Sequence, residues 1–124
     1  MLSRKGLLLL VYPVFLYPLA MTKQQIDEEV KKITAQLIEK YKPEKIILFG
    51  SAARGEDAND LDFLIIKNEV PYYGIDRMRE VRRLVNKTEA ADFLVVKSDE
   101  WQKQALANSS FYQTVNREGK VLYG

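Results

Sequence analysis

Three short apolar segments constrain the fold of this chain more than any other feature. They lie at residues 45–49, 60–66 and 91–96, and β-branched and aromatic residues dominate them. Segments of this length and composition are typical of buried β-strands. Four further stretches carry apolar residues at helical spacing: residues 23–41, 75–87, 98–106 and 109–118. With a short last strand at 120–123, this order predicts an α+β fold, one mixed β-sheet flanked by helices.

Composition narrows the chemistry. The 124 residues include no cysteine and no histidine, which excludes disulfides, thiolate or imidazole metal sites, and hydrolases that depend on histidine. Catalysis must therefore use carboxylates, lysines, tyrosines or hydroxyls, and a metal site must be built from oxygen ligands. Basic residues exceed acidic ones by two, and Arg4 and Lys5 account for the excess. The neutral remainder gives no reason to expect direct nucleic-acid binding.

Residues 1–20 differ from the rest of the chain. A basic start is followed by an apolar run from Leu7 to Ala20, which is shorter than the roughly 20 residues of a membrane-spanning helix. Pro13 and Pro18 also oppose a helix there. We interpret residues 1–20 as an apolar leader from a start codon assigned too far upstream, because a capped helix begins directly after Met21. A signal peptide and a membrane or partner anchor are the alternatives. We expect residues 21–124 to form one domain.

Three aspartates on the apolar strands are the strongest functional signal. Asp60 and Asp62 are two residues apart, so on a strand their side chains leave the same face. Asp92 is a lone acid in the segment 91–96, and a neighbouring strand could bring it beside this pair. Acidic side chains so placed are costly unless a cation joins them. We therefore predict Asp60, Asp62 and Asp92 as metal ligands and catalytic residues. Three such carboxylates can hold two metal ions for in-line displacement at phosphorus.

A short turn precedes the acidic strand. Gly50 and Ser51 end the first apolar strand, and eight residues separate them from Asp60. Glycine permits close approach of the backbone to a phosphate, and the Ser51 hydroxyl can donate to phosphate oxygens. Arg54 lies in the same turn and could neutralise charge on departing pyrophosphate. We predict Gly50, Ser51 and Arg54 as nucleotide-binding residues.

The segments 48–55 and 60–65 together resemble the signature of the polymerase-β-type nucleotidyltransferase superfamily. More narrowly, residues 22–124 are similar to the minimal nucleotidyltransferases, the antitoxin-type domains encoded beside HEPN-domain toxins. The resemblance implies the polymerase-β-like fold, triphosphate binding at Gly50 and Ser51, metal binding at Asp60 and Asp62, and Asp92 as the third carboxylate near the acceptor.

The resemblance also implies an activity and a partner. We expect a Mg²⁺-dependent enzyme, with two ions and Mn²⁺ as a substitute, that transfers AMP from ATP to a tyrosine of a HEPN toxin. The small domain favours a protein acceptor, which brings its own binding surface. A hetero-oligomer and a cytoplasmic location follow from this expectation, and no membrane association is expected. The alternatives are a non-catalytic antitoxin that covers its toxin, an enzyme that modifies a small molecule such as an antibiotic, and a nucleotide sensor.

One basic cluster has two interpretations. Arg77, Arg79, Arg82, Arg83 and Lys87 follow one another on the predicted helix 75–87. They could form a docking face for an acidic partner or RNA. We prefer a solvated helix face with the arginines largely outward, because acidic residues lie among them.

Overall fold

The computed structural model describes residues 20–124. The predicted leader, residues 1–20, lies outside the described residues except for Ala20, so its interpretation stays a prediction. Met21 is buried, and its amide donates a hydrogen bond of 2.8 Å to the carbonyl of Ala58. No helix within residues 20–124 has both the length and the apolar character needed to cross a membrane.

Helices and strands follow the predicted order. The helices are α1 (Lys23–Gln36, continued by a π-helical turn, Leu37–Tyr41), α2 (Gly50–Ala53), α3 (Gly74–Leu84), α4 (Ser98–Leu106) and α5 (Ser110–Glu118). The strands are β1 (Lys45–Phe49), β2 (Leu61–Ile66), β3 (Ala91–Val96) and β4 (Lys120–Tyr123). Thr22 begins α1 with a capping box, in which Thr22 and Gln25 each bond the other's backbone amide. This arrangement satisfies amides that would otherwise lack partners.

The four strands form one mixed sheet in the order β3-β2-β1-β4. β1 pairs antiparallel with both β2 and β4, whereas β2 and β3 are parallel. The parallel pair requires a crossover, and α3 supplies it. The predicted α+β class with a mixed sheet flanked by helices is thereby confirmed.

Helices cover the two faces of the sheet unequally. On one face α1, the π-helical turn and α3 bury the larger core, where Phe63 and Phe93 stack with ring centroids 5.5 Å apart. On the other face a smaller core of Ile47, Leu64 and Val115 packs under α4 and α5. On that face Leu94 of β3 remains 40% exposed. Because side chains alternate along a strand, Asp62 and Asp92 lie on this more open face.

Several local predictions were wrong. The turn at 50–55 begins with one helical turn, α2, and the helix predicted to reach residue 87 ends at Leu84. Arg77, expected to point outward, is only 4% exposed. The helix predicted at 98–106 is correct, and the amide of Lys97, just before it, donates to the Glu100 carboxylate.

Candidate active site

The pairing of the strands brings the three aspartates together. Asp62 lies opposite Asp92 in the parallel β2–β3 pair and opposite Phe49 in the antiparallel β1–β2 pair. Asp60 directly precedes β2. One carboxylate oxygen from each of Asp60, Asp62 and Asp92 lies within 4.8 Å of the other two. The predicted residues therefore form a cluster that could hold a metal ion.

Burial and like charge both act on the central member of this cluster. Partial burial raises the pKa of the Asp62 carboxyl, and the neighbouring Asp60 and Asp92 raise it further. The positive charge of Arg54 lowers the same pKa and only partly offsets the rise. Three hard oxygen donors that repel one another fit a divalent cation, which would relieve the repulsion on binding.

Gly50 makes the closest backbone approach to this cluster. It follows β1 with φ +76°, a conformation that favours glycine. A Cβ atom at this position would lie 3.3 Å from Asp62 Cγ and still closer to Asp62 Oδ2. A glycine is therefore required here both by the backbone angle and by the carboxylate beside it.

The other two predicted nucleotide contacts lie on α2 and just after it. Ser51 follows Gly50 in the helical turn and is half-buried. Arg54 is exposed and its guanidinium pairs with Glu56 at 3.0 Å and with Glu118, at the end of α5, at 3.2 Å. These two hydrogen-bonded carboxylates raise the pKa of Arg54. Arg54 is therefore near enough to Asp62 to lower its pKa. Its direct ion-pair partners are Glu56 and Glu118, which the sequence pattern does not predict.

A second arginine reaches the cluster from α3. Arg82 Nη2 lies 3.8 Å from Asp92 Oδ1, and both side chains are about half exposed. The sequence pattern predicts only a solvated helix face for Arg82. The contact could not be found from the sequence, because it depends on how the α3 crossover returns to the start of β3.

Comparison with known proteins identifies the family of this chain. The family model described as "Polymerase beta, Nucleotidyltransferase" matches residues 31–124. The chain belongs to this nucleotidyltransferase family. The match extends from α1 to the end of β4 and contains all six predicted site residues.

Two proteins are similar to this nucleotidyltransferase. A protein of Methanocaldococcus jannaschii named "putative protein adenylyltransferase" is 35% identical over 101 residues, which cover 78% of this chain and 97% of that protein. A crystal structure of a "putative nucleotidyltransferase" from Sulfolobus solfataricus is 25% identical, with a TM-score of 0.46, over 67% of this chain and 82% of that one.

Two buried charged residues position the strands of the nucleotidyltransferase site. Glu29 of α1 accepts 2.6 Å hydrogen bonds from the amides of Thr88 and Glu89, in the loop that leads into β3 and Asp92. Arg77 donates to the carbonyls of Pro71, Tyr72 and Val95. It also pairs with the Glu100 carboxylate at 2.6 Å. The sequence offered one signal for Arg77: it lies four residues before the buried Val81, on the inward side of α3.

Proposed function

We propose that this nucleotidyltransferase is a Mg²⁺-dependent protein adenylyltransferase. In this proposal it transfers AMP from ATP to a tyrosine of a partner HEPN-domain toxin and acts as the antitoxin in the cytoplasm. The convergence of Asp60, Asp62 and Asp92 beside the Gly50-Ser51 turn carries the proposal. The name of the Methanocaldococcus jannaschii relative supports a protein acceptor, and the resemblance to minimal nucleotidyltransferases supports the choice of a HEPN toxin.

The donor set determines which ion the site would take. All three side chains offer only carboxylate oxygens, which suit Mg²⁺ and, as a substitute, Mn²⁺. We assign Asp60 and Asp62 to two shared ions and Asp92 to the second of them. When bound, the ions supply charge neutralisation on the triphosphate and a lower pKa for the attacking hydroxyl.

The residues around the cluster take complementary parts. Gly50 allows the phosphates to approach the backbone, the Ser51 hydroxyl donates to a phosphate oxygen, and Arg54 neutralises charge on the leaving pyrophosphate. The tyrosine oxygen forms a bond to the α-phosphorus while the bond from that phosphorus to the pyrophosphate oxygen breaks. The tyrosine proton is released to the solvent, to which this side of the site is open.

The exposure of the site favours a macromolecular acceptor. The Asp92 side chain is 62% exposed, and Leu94 beside it on the same face of β3 is 40% exposed. Small-molecule sites are usually concave and enclose most of the ligand surface. An open site with an apolar neighbour instead suits an acceptor residue that a partner protein presents on its own surface.

Transfer of label to the partner tests the proposal. The full chain is incubated with α-phosphate-labelled ATP, Mg²⁺ and the purified HEPN-domain protein. We expect label on a tyrosine of the partner, lost in Asp62→Ala and retained in Asp57→Ala, a control at an exposed aspartate outside the cluster. A tight complex without label would contradict the proposal and favour a non-catalytic antitoxin. Efficient transfer to aminoglycosides instead would contradict the protein acceptor.

A further inference from the structure

A cationic groove lies on the face of the sheet opposite the aspartate cluster. It runs between the π-helical turn and α3, and its volume is about 380 Å³. Six residues line it: Lys40, Tyr41, Lys67, Glu80, Arg83 and Leu84. Three cations and one carboxylate give the groove a net charge of +2. Volumes of this size are typical of small-molecule sites.

The cations of this groove retain free donors. Lys40 donates one long hydrogen bond of 3.3 Å to the Leu84 carbonyl, and Lys67 donates one of 3.5 Å to the Lys42 carbonyl. An ammonium group has three donors, so each lysine has others to offer a ligand. Within residues 20–124, the side chains of Arg83 and Glu80 have no hydrogen bond or ion pair, and Lys67 Nζ lies 5.0 Å from the centre of the Tyr41 ring. Glu80 therefore offsets only part of the positive charge of the groove.

A buried hydroxyl in the wall of the groove points independently to a ligand. Tyr41 is 5% exposed, and its hydroxyl is buried without a hydrogen-bond partner in the described part of the chain. Buried polar groups nearly always have partners, and an exception calls for an explanation. Tyr41 also ends a π-helical turn, closed by a 3.0 Å bond from the Lys42 amide to the Leu37 carbonyl. Such turns are rare and are frequent at functional sites.

We propose that this groove is a binding site for a phosphate group, separate from the nucleotidyltransferase site. A phosphate monoester or inorganic phosphate carries close to two negative charges at pH 7, which matches the net charge of the groove. Lys40, Lys67 and Arg83 would hold the phosphate oxygens, and the Tyr41 hydroxyl, which neighbouring atoms cover in this structure, would donate a further bond once those atoms shift. The apolar side chain of Leu84 leaves room for the organic part of a monoester. The proposal does not depend on the proposed function, because no catalytic residue takes part.

The test uses amide chemical shifts of the full chain. Inorganic phosphate, AMP and acetate are titrated in separate experiments at constant ionic strength. We expect saturable shifts at Tyr41, Lys67 and Arg83 with phosphate, and none with acetate, which carries one charge. Tighter binding of AMP than of phosphate at these amides would identify a monoester as the ligand, and equal binding would identify free phosphate. Equal shifts with acetate, or shifts confined to residues near Asp62, would overturn the proposal.

Three variants make the test specific. Arg83→Gln should weaken phosphate binding about tenfold, and Tyr41→Phe about fivefold, the loss expected for one hydrogen bond. Arg79→Gln removes an arginine of the same helix that lies outside the groove, and it should bind as wild type does. Tyr41→Phe keeps the ring and removes only the hydroxyl, so this variant should fold. Unchanged phosphate affinity in both Arg83→Gln and Tyr41→Phe would refute the site.

Discussion

Substitution of the two turn glycines by alanine gives the sharpest test of how the site is built. Gly50 and Gly55 have nearly the same backbone angle, φ +76° and +75°. A Cβ at Gly50 would collide with the Asp62 carboxylate, whereas a Cβ at Gly55 would meet no atom within 4 Å. The pair therefore separates the backbone strain of alanine at positive φ from the contact with Asp62.

The strain should be nearly equal in the two variants. Alanine in the left-handed region costs about 1–2 kcal/mol, and part of this is offset by the lower entropy of the unfolded chain. We expect Gly55→Ala to lower the free energy of unfolding by about 1 kcal/mol, and Gly50→Ala to lower it by more, because the Asp62 side chain must also shift. For a domain of this size each kcal/mol should lower the melting temperature by about 4 °C. Both values are read from thermal unfolding in the absence of metal.

Activity should differ between the two variants. In Gly50→Ala the Asp62 carboxylate must move by about 1 Å to reach ordinary contact distance, and displacements of this size can lower rates about 100-fold. We expect such a loss in AMP transfer, together with weaker Mn²⁺ binding by calorimetry, in Gly50→Ala alone. Wild-type transfer and Mn²⁺ affinity in Gly50→Ala would refute this account. An equal loss in Gly55→Ala would show that backbone strain, rather than the contact with Asp62, causes the effect.

Three further predictions concern charged and polar groups. Asp62→Asn should raise the free energy of unfolding of the metal-free protein by about 1 kcal/mol, because it relieves the repulsion among carboxylates separated by up to 4.8 Å. The same variant should abolish AMP transfer. Urea denaturation in EDTA measures the stability, and a stability lower than that of wild type would contradict the prediction. Arg77→Leu should lower the free energy of unfolding by about 3 kcal/mol, since three carbonyls and Glu100 lose their hydrogen-bond donor. The control Arg79→Leu should stay within about 0.5 kcal/mol of wild type. Equal urea midpoints for the two variants would contradict this prediction. Burial raises the pKa of Tyr41 from 10.0 to about 12, so the folded state keeps the Tyr41 proton to a higher pH than the unfolded state does. The free energy of unfolding should therefore fall as pH rises from 10 to 12. Tyr41→Phe should reduce this fall, and parallel curves of stability against pH for the two proteins would contradict the prediction.

Sequence patterns predict the fold well where apolar residues are concentrated or recur at regular spacing. The strands at 45–49 and 91–96 have the predicted bounds, and the strand predicted at 60–66 begins one residue later, at Leu61. All three are short and rich in apolar residues, and each buries at least one face, so hydrophobic burial determines them. The acidic cluster was predicted for the same reason, since charged residues on apolar strands are conspicuous.

Features that depend on distant packing were not predicted. Arg77 was predicted to point outward like the neighbouring arginines. Instead its guanidinium is buried, where it donates to three carbonyl groups and pairs with Glu100. The pairing of Arg54 with Glu118 joins residues 64 apart in sequence. Neither arrangement has a local pattern, because each depends on where a loop or helix end finally lies.

The central strand explains why a few local patterns nevertheless identify the site. β2 pairs with both β1 and β3, and Asp62 lies at the start of β2, opposite Phe49 on one side and Asp92 on the other. The turn at Gly50 follows Phe49 directly, so the strand pairing itself places the glycine against the carboxylate. The eight residues between Ser51 and Asp60 only connect positions that the sheet has already determined. Since strand register is specified by side-chain burial, the same apolar residues that build the core also set the geometry of the acidic cluster.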